Sequence, residues 1–180
     1  METNLELLQY PVGRYARVDQ MNDVLKAEWM TNLAELPGKL ADAVNGLDAE
    51  QLATPYRPGG WTVKQVVHHV ADSHANAYIR IKQALTEDNP HVKTYDEKAW
   101  AMLPDSSNVP VEVSIAILTG LHIRLIALLQ GLEDAQWQRT YFHPGLGREF
   151  ALWEAVALYS WHSRHHVAHI TSLRARNGWF

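Results

Sequence analysis

Trp161-His162-Ser163-Arg164-His165-His166-Val167-Ala168-His169-Ile170 holds four of the chain's ten histidines in ten residues. It lies in a segment, about Ala151 to Asn177, that reads as a helix and stops at Gly178, the residue type expected just past a helix C-terminus. On a helix, residues four apart stack one turn above each other, so His162 and His166 offer two imidazoles to one point. With His162 at 0° and 100° per residue, His166 falls at about 40°, and Ala155, Tyr159 and Leu173 at about 20°, 60° and 20°. The pair therefore faces the apolar stripe and the core. His165 falls about 60° to the other side and His169 about 20° to that same side, which are poorer positions for a shared ligand. One inward histidine is ordinarily a hydrogen-bonded core residue. Two stacked buried imidazoles need partners for all their nitrogens, and one cation serves both rings.

Working outward, three more helical stripes appear. Val24, Leu25, Trp29, Leu33, Leu36, Leu40 and Val44 recur at three- and four-residue intervals between about Met21 and Gly46. Pro37 and Gly38 interrupt this stripe and predict a kink or two shorter helices. The next helix has a readable start, with Thr62 as N-cap and Gln65 three residues later, and runs to about Thr86 with Val63, Val66, Val67, Val70, Ala77 and Ile81 on its apolar face. A third, about Val111 to Gly131, carries Ile115, Leu118, Leu121, Leu125, Leu128 and Leu132 at bundle spacing, with His122 near the inner seam.

The connections differ in character. Residues 1–20 show no clear period and read as an extended arm lying over the body. Asp48 to Leu52 reads as a single helical turn, and Thr54 to Gly60 breaks regular structure with two prolines and two glycines. Residues 88–110 form a crossover longer than a bundle needs, with a short helical piece around Asp96 to Leu103. Tyr141 to Phe150 reads as a loop or small hairpin. Four long helices with two elaborate connections define an all-α chain, a four-helix bundle, expected as a single domain over residues 1–180.

Composition excludes several functions. The chain has 180 residues, enough to bury a core without staples, and no cysteine, which removes disulfides, thiolate metal sites and a cysteine nucleophile together. A net charge of −4 and the lack of a basic run argue against nucleic-acid binding. The N-terminus does not read as a secretory signal, and Val113 to Leu129, the most apolar stretch, is broken by Thr119, His122 and Arg124. A soluble cytoplasmic protein, not a membrane protein, is expected.

Two histidines four apart, with a third from another helix, make a ligand set that leaves coordination positions open for catalysis. Bound zinc lowers the pKa of water from 15.7 to about 7, or ionises a thiol; nickel or iron also accepts three imidazoles. Other metal motifs fail. Ser163 stands where a zincin needs glutamate after its first histidine, no glutamate has histidine three residues later as a di-iron bundle requires, and a haem attachment motif is missing. The second helix offers His68 and His69. His69 sits at the edge of the apolar stripe, while His68 shares a flank with Lys64 and reads as solvated or supporting; periodicity leaves the choice open.

Three stretches together, Gly59-Gly60-Trp61-Thr62 through His74, Ala84-Leu85-Thr86-Glu87-Asp88-Asn89-Pro90, and Trp161 to Ile170, resemble the YfiT-like branch of the DinB superfamily. The likeness extends from Tyr10-Pro11-Val12-Gly13 to the last helix. It implies an up-down-down-up bundle that binds one divalent metal, zinc or nickel, through three histidines, often as a homodimer. Members of this branch are described as metal-dependent hydrolases, and related proteins transfer low-molecular-weight thiols such as bacillithiol to electrophiles. The family's second-helix ligand lies eight residues after its tryptophan, here Trp61, and so corresponds to His69; the last-helix ligands correspond to His162 and His166. Where many relatives have glutamine, this chain has His169, a candidate supporting donor. His122 is read as a satisfied core histidine or a partner to a ligand, His143 and Arg148 as solvated or lining a pocket mouth, and Tyr159 as core. The expected partner is a small-molecule substrate or small thiol; a non-catalytic binding protein is the rival of another class, and a fourth protein ligand such as His169 or His122 would favour it.

Overall fold

The computed structural model describes residues 5–179. In chain order it comprises α1 (Leu5–Gln9), α2 (Asp23–Val44), α3 (Ala49–Leu52), α4 (Val63–Thr86), α5 (Glu97–Trp100), α6 (Asp105–Asn108), α7 (Val111–Gln130), α8 (Asp134–Trp137), the strands β1 (Thr140–His143) and β2 (Arg148–Ala151), and α9 (Leu152–Asn177). The four long helices make the expected bundle, with α2 and α4 each packing against both α7 and α9.

Side-chain contacts give the helix directions. Asn32 Nδ2 donates to Ser160 Oγ at 3.0 Å and, further along both helices, Arg174 Nη1 donates to Ala43 O at 3.0 Å, so α2 and α9 run parallel. His68 meets Ser114 and His74 meets His122, so α4 and α7 are also parallel. His69 packs against His166 while His74 packs against Tyr159, so α4 and α9 are antiparallel. The order is up-down-down-up. Because α4 and α7 point the same way, the chain must travel back along the bundle between them, which explains the long crossover. Its start is tied to the hairpin: Val92 N donates to Phe142 O and Phe142 N to Pro90 O, both at 3.0 Å. β1 and β2 pair antiparallel, with Tyr141 opposite Phe150.

The core is two apolar layers with histidines between them. One layer includes Trp29, Leu33, Ile81, Leu125, Leu129 and Leu152. The other includes Leu36, Leu40, Val66, Val70, Leu118 and Ile170. On α4, α7 and α9 the buried histidines His74, His122, His166 and His169 fall between residues of the two layers.

Three expectations need correction. First, of the kink or two shorter helices expected at Pro37, the two shorter helices are overturned, since α2 is one continuous helix through it. The Leu33 carbonyl, deprived of its partner at residue 37, accepts from His122 Nδ1 at 2.6 Å, so a tertiary donor replaces the missing helical one. Second, Leu5–Gln9 of the N-terminal arm is helical. The arm lies over α9 as expected: Trp161 Nε1 donates to Gly13 O at 3.1 Å and His169 Nε2 to Gln9 O at 3.0 Å. Residues 1–4 of the arm lie outside the described residues. Third, the crossover carries a second helical turn, α6, that sequence reading missed. The remaining boundaries agree with the sequence: Thr62 and Gln65 make both capping-box bonds, and Gly178 ends α9 in the left-handed conformation at φ 65°.

Candidate metal centre

The capping box fixes the start of α4 and brings His69 two turns later to the face opposite α9. Trp61, just before the cap, packs on the His69 ring with centroids 4.6 Å apart. From α9, His162 and His166 stack as the four-residue spacing requires, at 4.4 Å between centroids. His69, His162 and His166 thus place one ligand atom each within 4.8 Å of one another. The Nε2 atoms of His69 and His162 are 3.3 Å apart. Two nitrogens bound tetrahedrally to one zinc at 2.0–2.1 Å stand about 3.3 Å apart, so the donor set fits such an ion.

The electrostatics also suit a cation's ligands. Burial pushes His69 down to about 4, with the His169 ring adding to the effect. His162 and His166 are held well below the ordinary histidine range, by burial first and by neighbouring imidazoles second. At neutral pH these rings keep their lone pairs instead of a second proton.

His68 points elsewhere. Its Nδ1 pairs with Ser114 Oγ at 2.7 Å and its Nε2 with Val109 O at 3.1 Å, so it is a buried histidine joining α4 to the start of α7. Of the two expectations for it, solvated or supporting, burial overturns the first. His165 and His169 are likewise buried, despite their unfavourable angles on the helical wheel. The N-terminal arm and the loop at Tyr56, which a single-helix wheel cannot represent, cover that flank. His165 stacks on Trp161 at 4.4 Å and lies 5.9 Å from Tyr10, while His169 stacks on Tyr56 at 3.9 Å. With His166 these two form another set of donors within 4.8 Å, and all three Nδ1 atoms are buried without a partner.

A cavity of about 400 Å³ opens beside His69, His162 and His166. Ser73, Arg80, Tyr95, His143 and Tyr159 contribute to its wall. Tyr159 is therefore both core and cavity lining, and His143 is at the cavity, whereas Arg148 pairs with Glu154 at 3.1 Å. Burial raises Tyr95 to about 12 against an opposing Ser73 hydrogen bond, so its hydroxyl keeps its proton. Sequence reading missed Ser73, Arg80, Tyr95 and His74. For His74 a signal existed: it stands between Val70 and Ala77 at stripe spacing, where an apolar residue is expected.

An up-down-down-up bundle with three histidines converging from two helices beside an open cavity defines a helical protein equipped to bind a metal. The comparisons agree. The family model described as DinB superfamily matches residues 32–170, and the chain belongs to that superfamily. It is 51% identical over 172 residues to a protein of Bacillus mycoides (strain KBAB4) named "putative metal-dependent hydrolase", covering 96% of this chain and 98% of the relative. A protein of the same name from Bacillus cereus (strain AH820) is 50% identical over the same length. Among solved structures, YfiT from Bacillus subtilis, described as "a probable metal-dependent hydrolase with an unusual four-helix bundle topology", superposes with a TM-score of 0.94 at 48% identity, covering 97% of this chain and 99% of that one.

Proposed function

We infer that this chain is a metal-dependent hydrolase in which His69, His162 and His166 hold one divalent ion, zinc or nickel, and the adjoining cavity receives a small polar substrate. The reading rests on the convergence of the three neutral imidazoles, with two Nε2 atoms 3.3 Å apart. A divalent ion held there supplies the Lewis acidity that makes a water molecule nucleophilic at neutral pH. The chain's own groups do the rest. Trp61 walls His69 on one side, Tyr95 and Tyr159 keep protonated hydroxyls available as donors, and Arg80 contributes a buried positive charge to receive an anionic or strongly polar group.

One observation favours a second reading. The single carboxylate along the described cavity wall is Glu97, which is exposed, so no buried carboxylate stands by to take a proton from water. A low-molecular-weight thiol, whose proton solvent would take once a divalent ion held by these histidines made it acidic, would need no such base; its sulfur would bond an electrophilic carbon as that carbon's bond to chlorine or to the epoxide oxygen breaks, the chloride leaving or the oxygen taking a proton, and the protein would be a thiol transferase. Since the chain has no cysteine, that thiol is a co-substrate.

Elemental analysis of the purified protein and its variants tests the core of both readings. His69→Ala, His162→Ala and His166→Ala should each lose most of the bound divalent metal, and His68→Ala should retain it. Full metal content in His162→Ala would refute the assignment. Incubation with a small thiol and an epoxide or chlorinated acceptor separates the readings, since metal-dependent thiol loss marks transfer. The protein is read further as one cytoplasmic domain that pairs into a homodimer through the outer side of α7, where Val113, Ile117 and Ile123 are exposed. Light scattering of wild type and Ile117→Lys tests the pairing, and a monomeric wild type would refute it.

A further inference from the structure

Pro37 has no N–H, so the Leu33 carbonyl lacks its helical donor. His122 Nδ1 lies 2.6 Å from that oxygen, and because a carbonyl only accepts, this ring nitrogen carries the proton. The other nitrogen of a neutral ring is an acceptor. His122 Nε2 therefore accepts from His74 Nδ1, 3.0 Å away. His74 Nε2 in turn accepts from His162 Nδ1 at 3.2 Å. His162 Nε2 is left with a free lone pair, and this is the atom 3.3 Å from His69 Nε2.

We propose that His74 and His122 are positioning residues which, anchored on the carbonyl that Pro37 leaves free, lock His162 in the one tautomer whose Nε2 can bind a cation. The inference rests on the metal reading above. Its direction comes from the carbonyl end: with neutral rings, no other assignment of protons satisfies all three contacts. His74 and His122 are 0% and 1% exposed, and burial disfavours a second proton on either. Tyr159, edge-on to His74 at 5.0 Å between centroids, holds the middle ring in place. The relay thus spans the bundle from α2 through α7 and α4 to α9. It makes the metal ligand on one helix depend on a proline on another. Partners that fix the ring of a metal-bound histidine typically matter by 10–100-fold in metal affinity, roughly, so the effect is measurable.

The test uses ¹⁵N-histidine-labelled protein freed of metal and refolding-competent on zinc addition. Histidine ring spectra, assigned through single substitutions, should show His122, His74 and His162 all protonated at Nδ1, the less common neutral form. An Nε2-protonated form at any of the three overturns the relay. Zinc affinity, read by competition with a chromophoric chelator, should weaken about 10–100-fold in His74→Phe. It should recover substantially in His74→Gln, whose amide can accept from His162 and donate to His122. Wild-type affinity in a folded His74→Phe overturns the relay while leaving the three-histidine reading intact. If His74→Phe fails to fold, the wild-type tautomers decide alone. A wild type that binds no divalent ion overturns both.

Discussion

Acid should unfold the metal-free protein from its centre. His69 is ordinary in the unfolded chain, near 6.5, and is held down to about 4 in the fold. Between those values the unfolded state binds more protons than the folded state, so stability is fully present above pH 6.5 and is lost as the pH falls toward 4. Each such ring contributes a slope of about 1.4 kcal/mol per pH unit, and His69 alone about 3 kcal/mol across its window. His74, His162 and His166 are shifted in the same direction by burial. Acting with His69, these three rings make the loss steeper than one ring's slope, against a total stability of about 5–15 kcal/mol for a domain. Urea unfolding followed by tryptophan fluorescence, with a chelator present, should therefore show a steep loss between pH 6.5 and 5. Saturating zinc should raise stability over the same range, because an ion bound only by the folded form competes with those protons. A slope corresponding to less than one proton between pH 6.5 and 5 in the metal-free protein would refute the picture of a neutral histidine layer.

Other consequences are more local. Leu118→Ala, at a fully buried position in one apolar layer, should cost about 2–5 kcal/mol in urea unfolding while leaving metal content unchanged. His68→Ala, which strands Ser114 and the Val109 carbonyl, should cost about 1–3 kcal/mol with the metal retained; loss of metal would mean that α4 presents the wrong histidine to α9. Arg80→Met should raise KM for a polar substrate with metal content unaltered, and an unchanged KM would remove Arg80 from substrate binding.

Local chemistry made much of this fold readable. The Thr62–Gln65 capping box, the left-handed stop at Gly178 and the four apolar stripes each act within a few residues, so sequence alone located the four long helices and the His162–His166 pair. What sequence left open depended on neighbours. His68 and His69 differ by about 100° on their own helix, and only the position of α9 decides which one meets His162 and His166. The resemblance chose His69 by motif, and in the structure His69 Nε2 lies 3.3 Å from His162 Nε2. Pro37 depends on a neighbour in the same way, since its local effect is to leave a carbonyl unpaired, whereas its tertiary effect is to give His122 a partner.

The arrangement of the core explains why such a layer survives. Buried imidazoles cost free energy unless their nitrogens are paired, and an apolar layer at the same level would be the more stable choice. In the relay each nitrogen from His122 to His162 Nδ1 has a partner, so the lone pair the relay leaves over, on His162 Nε2, lies on the face shared with His69 and His166. The two apolar layers exclude water above and below and keep those rings neutral. A cation that binds there meets ligands already deprotonated and oriented, and little of its binding energy goes to reorganising them. The burial that weakens the metal-free fold in acid is therefore the same burial that prepares the site, and variants that relieve the acid instability by making the layer apolar should bind metal more weakly, most of all where the ring removed is His69, His162 or His166.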